Sequence, residues 1–170
     1  MNIFWLLAFL LASCTGVPKG LKPVEEFDAN RYVGTWYEIA RLEQSFEKGL
    51  DNISAHYSLT EDGGLKVVNQ GRDQETGKWK KAEGKGYFID QPTVGRLKVS
   101  FCGPFYGSYN IIALDNENYQ YSMVTGPNRS YLWILARTKT LPKETLDALI
   151  ERAKRMGFAT EKLIMVEQDP

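Results

Sequence analysis

Between Val33 and Thr138 the chain repeats one unit many times over: a short apolar-patterned run, then a break of turn residues, with no helix-length segment between. The runs lie near 33–43, 52–60, 64–71, 79–89, 95–102, 106–114, 118–125 and 130–138. The breaks include Glu61-Asp62-Gly63-Gly64, Asp73-Gln74-Glu75-Thr76-Gly77, Asp90-Gln91-Pro92, Asp115-Asn116-Glu117 and Gly126-Pro127-Asn128. Glycine and asparagine tolerate positive φ, proline presets φ, and aspartate bonds to its own backbone, so each gap suits a hairpin. Eight antiparallel strands without crossover helices fold as an up-and-down barrel or a sandwich.

Alternation assigns faces within the strands, because successive side chains point to opposite sides. Leu97, Val99 and Phe101 form one apolar set, and Ile53, Ala55, Tyr57 and Leu59 another. The run around Glu83 presents Ala82, Gly84, Gly86 and Phe88, whose small members mark a bend or leave space inside. Tyr131-Leu132-Trp133-Ile134-Leu135-Ala136 is apolar throughout, so it must be covered on both faces. A single amphipathic helix from about Pro142 to Met156 supplies the outer cover, with Leu146, Leu149, Ile150 and Ala153 as its stripe and Gly157 as its stop. A short extended segment, Lys162 to Val166, follows.

Composition narrows the function. The chain has 170 residues, 43% of them apolar, which suits one domain with a sizeable core. Lys plus Arg and Asp plus Glu total 21 each, and this zero net charge makes nucleic acid a poor partner. The one histidine, His56, removes most metal and triad chemistry, and no cofactor is expected.

The N-terminus reads as an address. Ile3–Leu11 is apolar but short of the ~20 residues a spanning helix needs. Leu11-Ala12-Ser13-Cys14 follows and resembles the bacterial lipobox, which implies cleavage before Cys14 and lipidation of its thiol. No Lys or Arg precedes the apolar run. An ordinary cleaved signal, or a buried N-terminal helix with an incidental cysteine, is the alternative reading. The expected division is a signal peptide over 1–13, a lipidated Pro/Gly-rich tether over 14–24 and the folded domain over 25–170. Cys102 is then a free thiol, unless it pairs with Cys14.

Three motifs make the barrel the favoured architecture. Gly34-Thr35-Trp36 within Asn30–Ala40, Ala113-Leu114-Asp115 followed by Tyr119, and Arg137 closing Trp133-Ile134-Leu135-Ala136-Arg137 resemble the conserved motifs of lipocalins. Asp28, Arg31, Tyr37 and Glu38, with Gly103-Pro104-Phe105-Tyr106-Gly107, are similar to bacterial lipocalins of the outer-membrane lipoprotein type. The resemblance implies an all-β fold: an eight-stranded up-and-down antiparallel barrel with one C-terminal α-helix packed on its outside. It implies that Gly34, Trp36 and Arg137 are structural, with the guanidinium lying across the indole to seal the closed end. It further implies a fatty acid or lysophospholipid as ligand, a periplasm-facing outer-membrane location through Cys14, and homodimerisation near the open end.

If Arg137 points inward, period two places Trp133, Tyr131 and Leu135 inward as well, with Trp133 the leading ligand contact. The same parity nominates Ala40, Tyr57, Phe88, Val99, Phe101, Tyr121 and Met123 as cavity residues. Asn110 and Ile112 could take either face. The competing functions are a structural envelope lipoprotein with a filled barrel, and a lipid-processing enzyme. For the latter, Glu38 shares the inward parity of Trp36, although a buried carboxylate there suits hydrogen-bonded structure better than catalysis.

Overall fold

The computed structural model describes residues 15–170. The expected signal peptide, 1–13, and Cys14 lie outside them. A one-turn helix α1 (Ala29–Tyr32) leads into eight antiparallel strands. These are β1 (Gly34–Arg41), β2 (Leu50–Leu59), β3 (Leu65–Asp73), β4 (Trp79–Phe88), β5 (Arg96–Cys102), β6 (Phe105–Leu114), β7 (Tyr121–Thr125) and β8 (Trp133–Ala136). Each pairs with its chain neighbour, and β1 pairs with both β2 and β8, which closes the barrel. A two-residue strand, β9 (Ile164–Met165), adds to β1 on the outside.

The helix α2 (Lys143–Arg155) buries Leu149 and Ala153 against the barrel wall. Its stop is the left-handed one expected: Gly157 has φ of 87°, its N–H bonds to Lys154 O, and Phe158 N–H reaches Ala153 O. The buried residues therefore fall into two clusters. One lies inside the barrel around Trp36, Tyr57, Leu97, Ile111 and Leu135; the other lies between barrel and helix around Ala40, Met123, Leu132, Ile134 and Leu149.

The base is closed from below by α1, which the hydrophobic pattern was too short to announce. Asp28 caps it by accepting from Asn30 N–H at 2.9 Å. Tyr32, 1% exposed, is thereby driven under the barrel, its ring 4.7 Å from that of Trp36. Arg137 lies over the Trp36 ring at 4.0 Å and donates to the main-chain oxygens of Arg31, Val33, Thr35 and Tyr119. Gly34 is required here: its φ is +100°, and a Cβ would sit 3.2 Å from Arg137 Nη1.

Two expectations are corrected. Residues 15–24 are no slack tether but a strap along the wall. Arg96 Nη2 donates to Thr15 O, Asn110 Nδ2 to Gly16 O and Arg129 Nη2 to Lys19 O, while Val24 bonds both Ile111 O and Gly95 N–H. Nor do the glycines of β4 contribute open space, because the Phe101 ring lies against Gly84 and Val99 against Gly86.

Candidate functional site

A cavity of about 480 Å³ occupies the upper part of the barrel. That falls within the ~300–1,000 Å³ typical of small-ligand pockets. It opens where the β1–β2 loop faces the β5–β6 turn, and its lower limit is the tyrosine layer above Trp36 and Tyr32. Three aromatic side chains stand exposed around the opening: Phe46 (65% exposed), Phe101 (46%) and Phe105 (76%).

Six of the ten residues nominated from the sequence line this cavity: Trp133, Tyr131, Leu135, Tyr57, Val99 and Phe101. The other four do not, each for a local reason. Ala40 lies in the outer cluster because β1 slips register between Glu38 and Ala40, placing Ile39 and Ala40 on the helix side together. Strict alternation fails across such a bulge. Met123 and Tyr121 also belong to the outer cluster. Met123 pairs with Ile134, and directly opposed residues share a face, so Val124 is the inward residue instead. Phe88 does pack within the barrel, but at its base, 6.0 Å from the Phe27 ring. Ile112 joins the outer cluster, and Asn110 turns to the strap and Gly126 O.

Besides Ser54, Asn69 and Ser108, the wall carries two layers of interacting polar groups. Deepest is a tyrosine chain: Tyr57 OH and Tyr109 OH lie 2.9 Å apart, Tyr109 OH and Tyr32 OH 2.8 Å, and Tyr32 OH reaches Ser122 Oγ at 3.2 Å. Burial pushes Tyr32 up to about 12 and raises Tyr57 and Tyr109 as well, so this layer consists of neutral phenols.

Nearer the opening, Glu38 and Glu47 face the cavity beside Arg41 and Trp133. Trp133 Nε1 donates to Glu47 Oε2 at 3.0 Å, and Arg41 Nη1 to Glu38 Oε1 at 3.2 Å. Arg41 and Glu47 escaped the sequence reading. Arg41 reaches the inside only because of the β1 bulge, and Glu47 sits in a loop, where no periodicity assigns a face. The signal that existed was Glu38, whose inward parity required a cationic partner nearby. His56 is exposed on the outer face, bonded to Thr35 Oγ1, and Cys102 is a free, exposed thiol at the end of β5. Among the described residues no cluster of His, Cys, Asp and Glu is arranged to hold a metal.

The lipocalin-like domain family model matches residues 27–168. The chain is 52% identical over 163 residues to outer membrane lipoprotein Blc of Vibrio cholerae, an alignment covering 96% of this chain and 95% of that one. It is 51% identical to the Blc lipoprotein of Escherichia coli K12, covering 95% and 92%. Apolipoprotein D of Macaca fascicularis is 36% identical, covering 95% and 85%. In fold, the chain is similar to insecticyanin of the tobacco hornworm Manduca sexta, with a TM-score of 0.72, 22% identity and coverage of 91% and 87%. It is also similar to the cockroach allergen Per a 4, with a TM-score of 0.70, 21% identity and coverage of 91% and 96%. A closed eight-stranded barrel, an indole sealed under a guanidinium and this degree of identity agree: the chain belongs to the lipocalin family, in its bacterial Blc branch.

Proposed function

We propose that the protein holds the acyl chain of a fatty acid or lysophospholipid in its barrel, and works as an envelope lipid store, carrier or repair factor. The observation that carries this reading is the cavity itself, about 480 Å³, sealed below and open above through aromatic residues. Val67, Val99, Val124 and Leu135 give it an apolar wall. Burying ten methylenes there yields about 8 kcal/mol gross at ~0.8 each. Association costs reduce that, so polar contacts at the opening must add to it for tight binding. A barrel filled by its own side chains, the structural-lipoprotein alternative, would have no such cavity.

Anchoring completes the proposal. Leu11-Ala12-Ser13-Cys14 reads as a lipobox, and relatives about half identical are named outer membrane lipoproteins. Lipidation of Cys14 would hold the barrel at the outer membrane, facing the periplasm. One acyl chain binds a bilayer only marginally, and the three usual for such an anchor make attachment effectively permanent. Homodimerisation near the open end would suit the exposed Phe46, Phe101 and Phe105. Binding rather than catalysis is the reading that Glu38 supports, because its carboxylate is engaged by Arg41 and buried.

The test is a titration of the purified domain with lysophospholipid, followed by tryptophan fluorescence, alongside native mass spectrometry of the domain and its variants for bound lipid. Saturable quenching and a bound mass of one lipid are expected. Trp133→Ala should weaken binding about tenfold or more while the circular dichroism stays that of a barrel. No quenching and no bound lipid at any concentration would end the proposal.

A further inference from the structure

The polar groups of the cavity are unevenly placed. Where β1, the β1–β2 loop and β8 meet, two carboxylates confront a single guanidinium. Glu38 is 3% exposed, Arg41 2% and Glu47 9%. Arg41 Nη1 donates to the Glu38 carboxylate, but Nη2 donates to the main-chain oxygen of Glu47, at 3.0 Å, and not to its carboxylate. The Glu47 carboxylate takes its hydrogen bond from the Trp133 indole. Tyr57, on β2, is the remaining titratable side chain that senses both carboxylates, and it carries no charge. The cluster is thus one positive charge short.

A buried charge without a partner is resolved by a proton or by a cation. Burial together with the neighbouring carboxylate raises Glu38 well above the usual carboxylate range, and burial raises Glu47. At rest the pair therefore retains a proton. Both carboxylates also line the cavity, so an entering head group meets them directly. An ionised carboxylate can accept about four hydrogen bonds. Here Arg41 and Trp133 each supply one donor to the pair, and the retained proton lies in a hydrogen bond between Glu38 and Glu47. The buried Arg41 Nε has no acceptor among the described residues, so the corner also holds an unmet donor directly behind the carboxylates that line the cavity.

We propose that the corner formed by Glu38, Arg41, Glu47 and Trp133 is a head-group subsite for a single-chain lipid whose ammonium lies beside an anionic oxygen. This rests on the lipid-carriage reading above. The ammonium binds the two carboxylates and the shared proton leaves to solvent, so a zwitterion of no net charge enters, one proton departs, and the complex is one unit more negative than the resting protein. The apolar wall takes the tail. An anionic head group or a free fatty-acid carboxylate brings a further negative charge to the corner and is disfavoured.

The experiment is isothermal titration calorimetry of the purified domain at neutral pH. Lysophosphatidylethanolamine and lysophosphatidylglycerol of the same acyl chain are compared in two buffers of different ionisation enthalpy. The ethanolamine lipid is expected to bind at least tenfold more tightly and to release up to one proton, and the glycerol lipid to release none. Glu47→Gln should erase both the preference and the proton release. Equal affinities with equal proton counts for the unaltered protein would overturn the subsite and leave lipid carriage standing. Binding of neither lipid would overturn both. The proton count needs no variant, so the result does not hang on how Glu47→Gln folds.

Discussion

Arg137 is held by four main-chain oxygens and the face of Trp36, and no shorter or non-planar cation can serve all of them. Arg137→Lys keeps the charge but loses the fork and most of the stacking. A desolvated cation–π contact is worth about 2 kcal/mol, and each lost hydrogen bond about 1 kcal/mol more. The expected loss is about 2–4 kcal/mol, seen as a thermal midpoint lowered by roughly 5–15 °C. An unchanged midpoint would show that the seal contributes nothing. Glu38 sets a different dependence, on pH. Its carboxyl is raised above the ordinary 4.5, so the folded state keeps a proton that the unfolded chain has already released. Its contribution to stability is complete below the ordinary value and is lost as pH rises through the folded value. Glu38→Gln removes that titration. The wild type should lose stability relative to this variant on going from pH 5 toward pH 8, by at most about 1.4 kcal/mol per pH unit. Urea unfolding at a series of pH values reads the difference directly, and parallel curves would contradict it.

At the level of elements, the two glycines of β4 do different things. A Cβ on Gly84 would meet Ser100 O at 2.7 Å and the Phe101 ring at 2.9 Å, and backbone cannot step aside cheaply. A Cβ on Gly86 would make only ordinary contacts, 3.5 Å from Val99 and beyond. Gly84→Ala should therefore cost about 1–3 kcal/mol through overpacking, and should displace Phe101 enough to weaken lipid binding. Gly86→Ala should be nearly neutral in the same melting and quenching assays. The pair also shows what the sequence could and could not say. Small residues on an inward face announced room beside β4, but nothing in the pattern said that Phe101, one strand away, would take it. Strand positions were legible because period two and turn residues are local signals. Faces were legible only where one face is polar. On β7 alternation nominated Tyr121 and Met123 as inward, but the pairing of Met123 with Ile134 puts that set against the helix and turns Val124 inward. The carboxylate cluster needed a bulge in β1 and a loop residue, neither of which alternation encodes.

For the whole molecule, the strap decides how the barrel stands relative to whatever holds its N-terminus. Val24 lies between β5 and β6: its N–H bonds Ile111 O at 2.8 Å, and its carbonyl accepts from Gly95 N–H at 2.9 Å. Pro18 is buried, Leu21 packs against the outer cluster, and Arg129 ties Lys19 O and Met156 O together, so strap and α2 are clamped by one guanidinium. Thr15, the first described residue, is already bonded to Arg96. A Pro/Gly-rich composition suggested slack, but here proline and glycine shape a docked turn, with Leu21 N–H closing on Pro18 O. If Cys14 carries the anchor, consecutive Cα atoms only ~3.8 Å apart leave almost no free chain between the acylated residue and the barrel wall. The barrel would then be held close to the bilayer by its β5–β6 flank. Two measurements test the strap. The Val24 amide should exchange slowly with deuterium, at a rate close to that of the barrel strands, whereas a slack tether would exchange within seconds. Removing residues 15–24 from the soluble domain should lower the thermal midpoint by several degrees, since the Gly95 N–H loses its acceptor and a buried unpaired donor costs about 1–3 kcal/mol. Fast exchange at Val24 together with an unchanged midpoint would return the segment to the role of a loose leash, and the orientation it imposes would go with it.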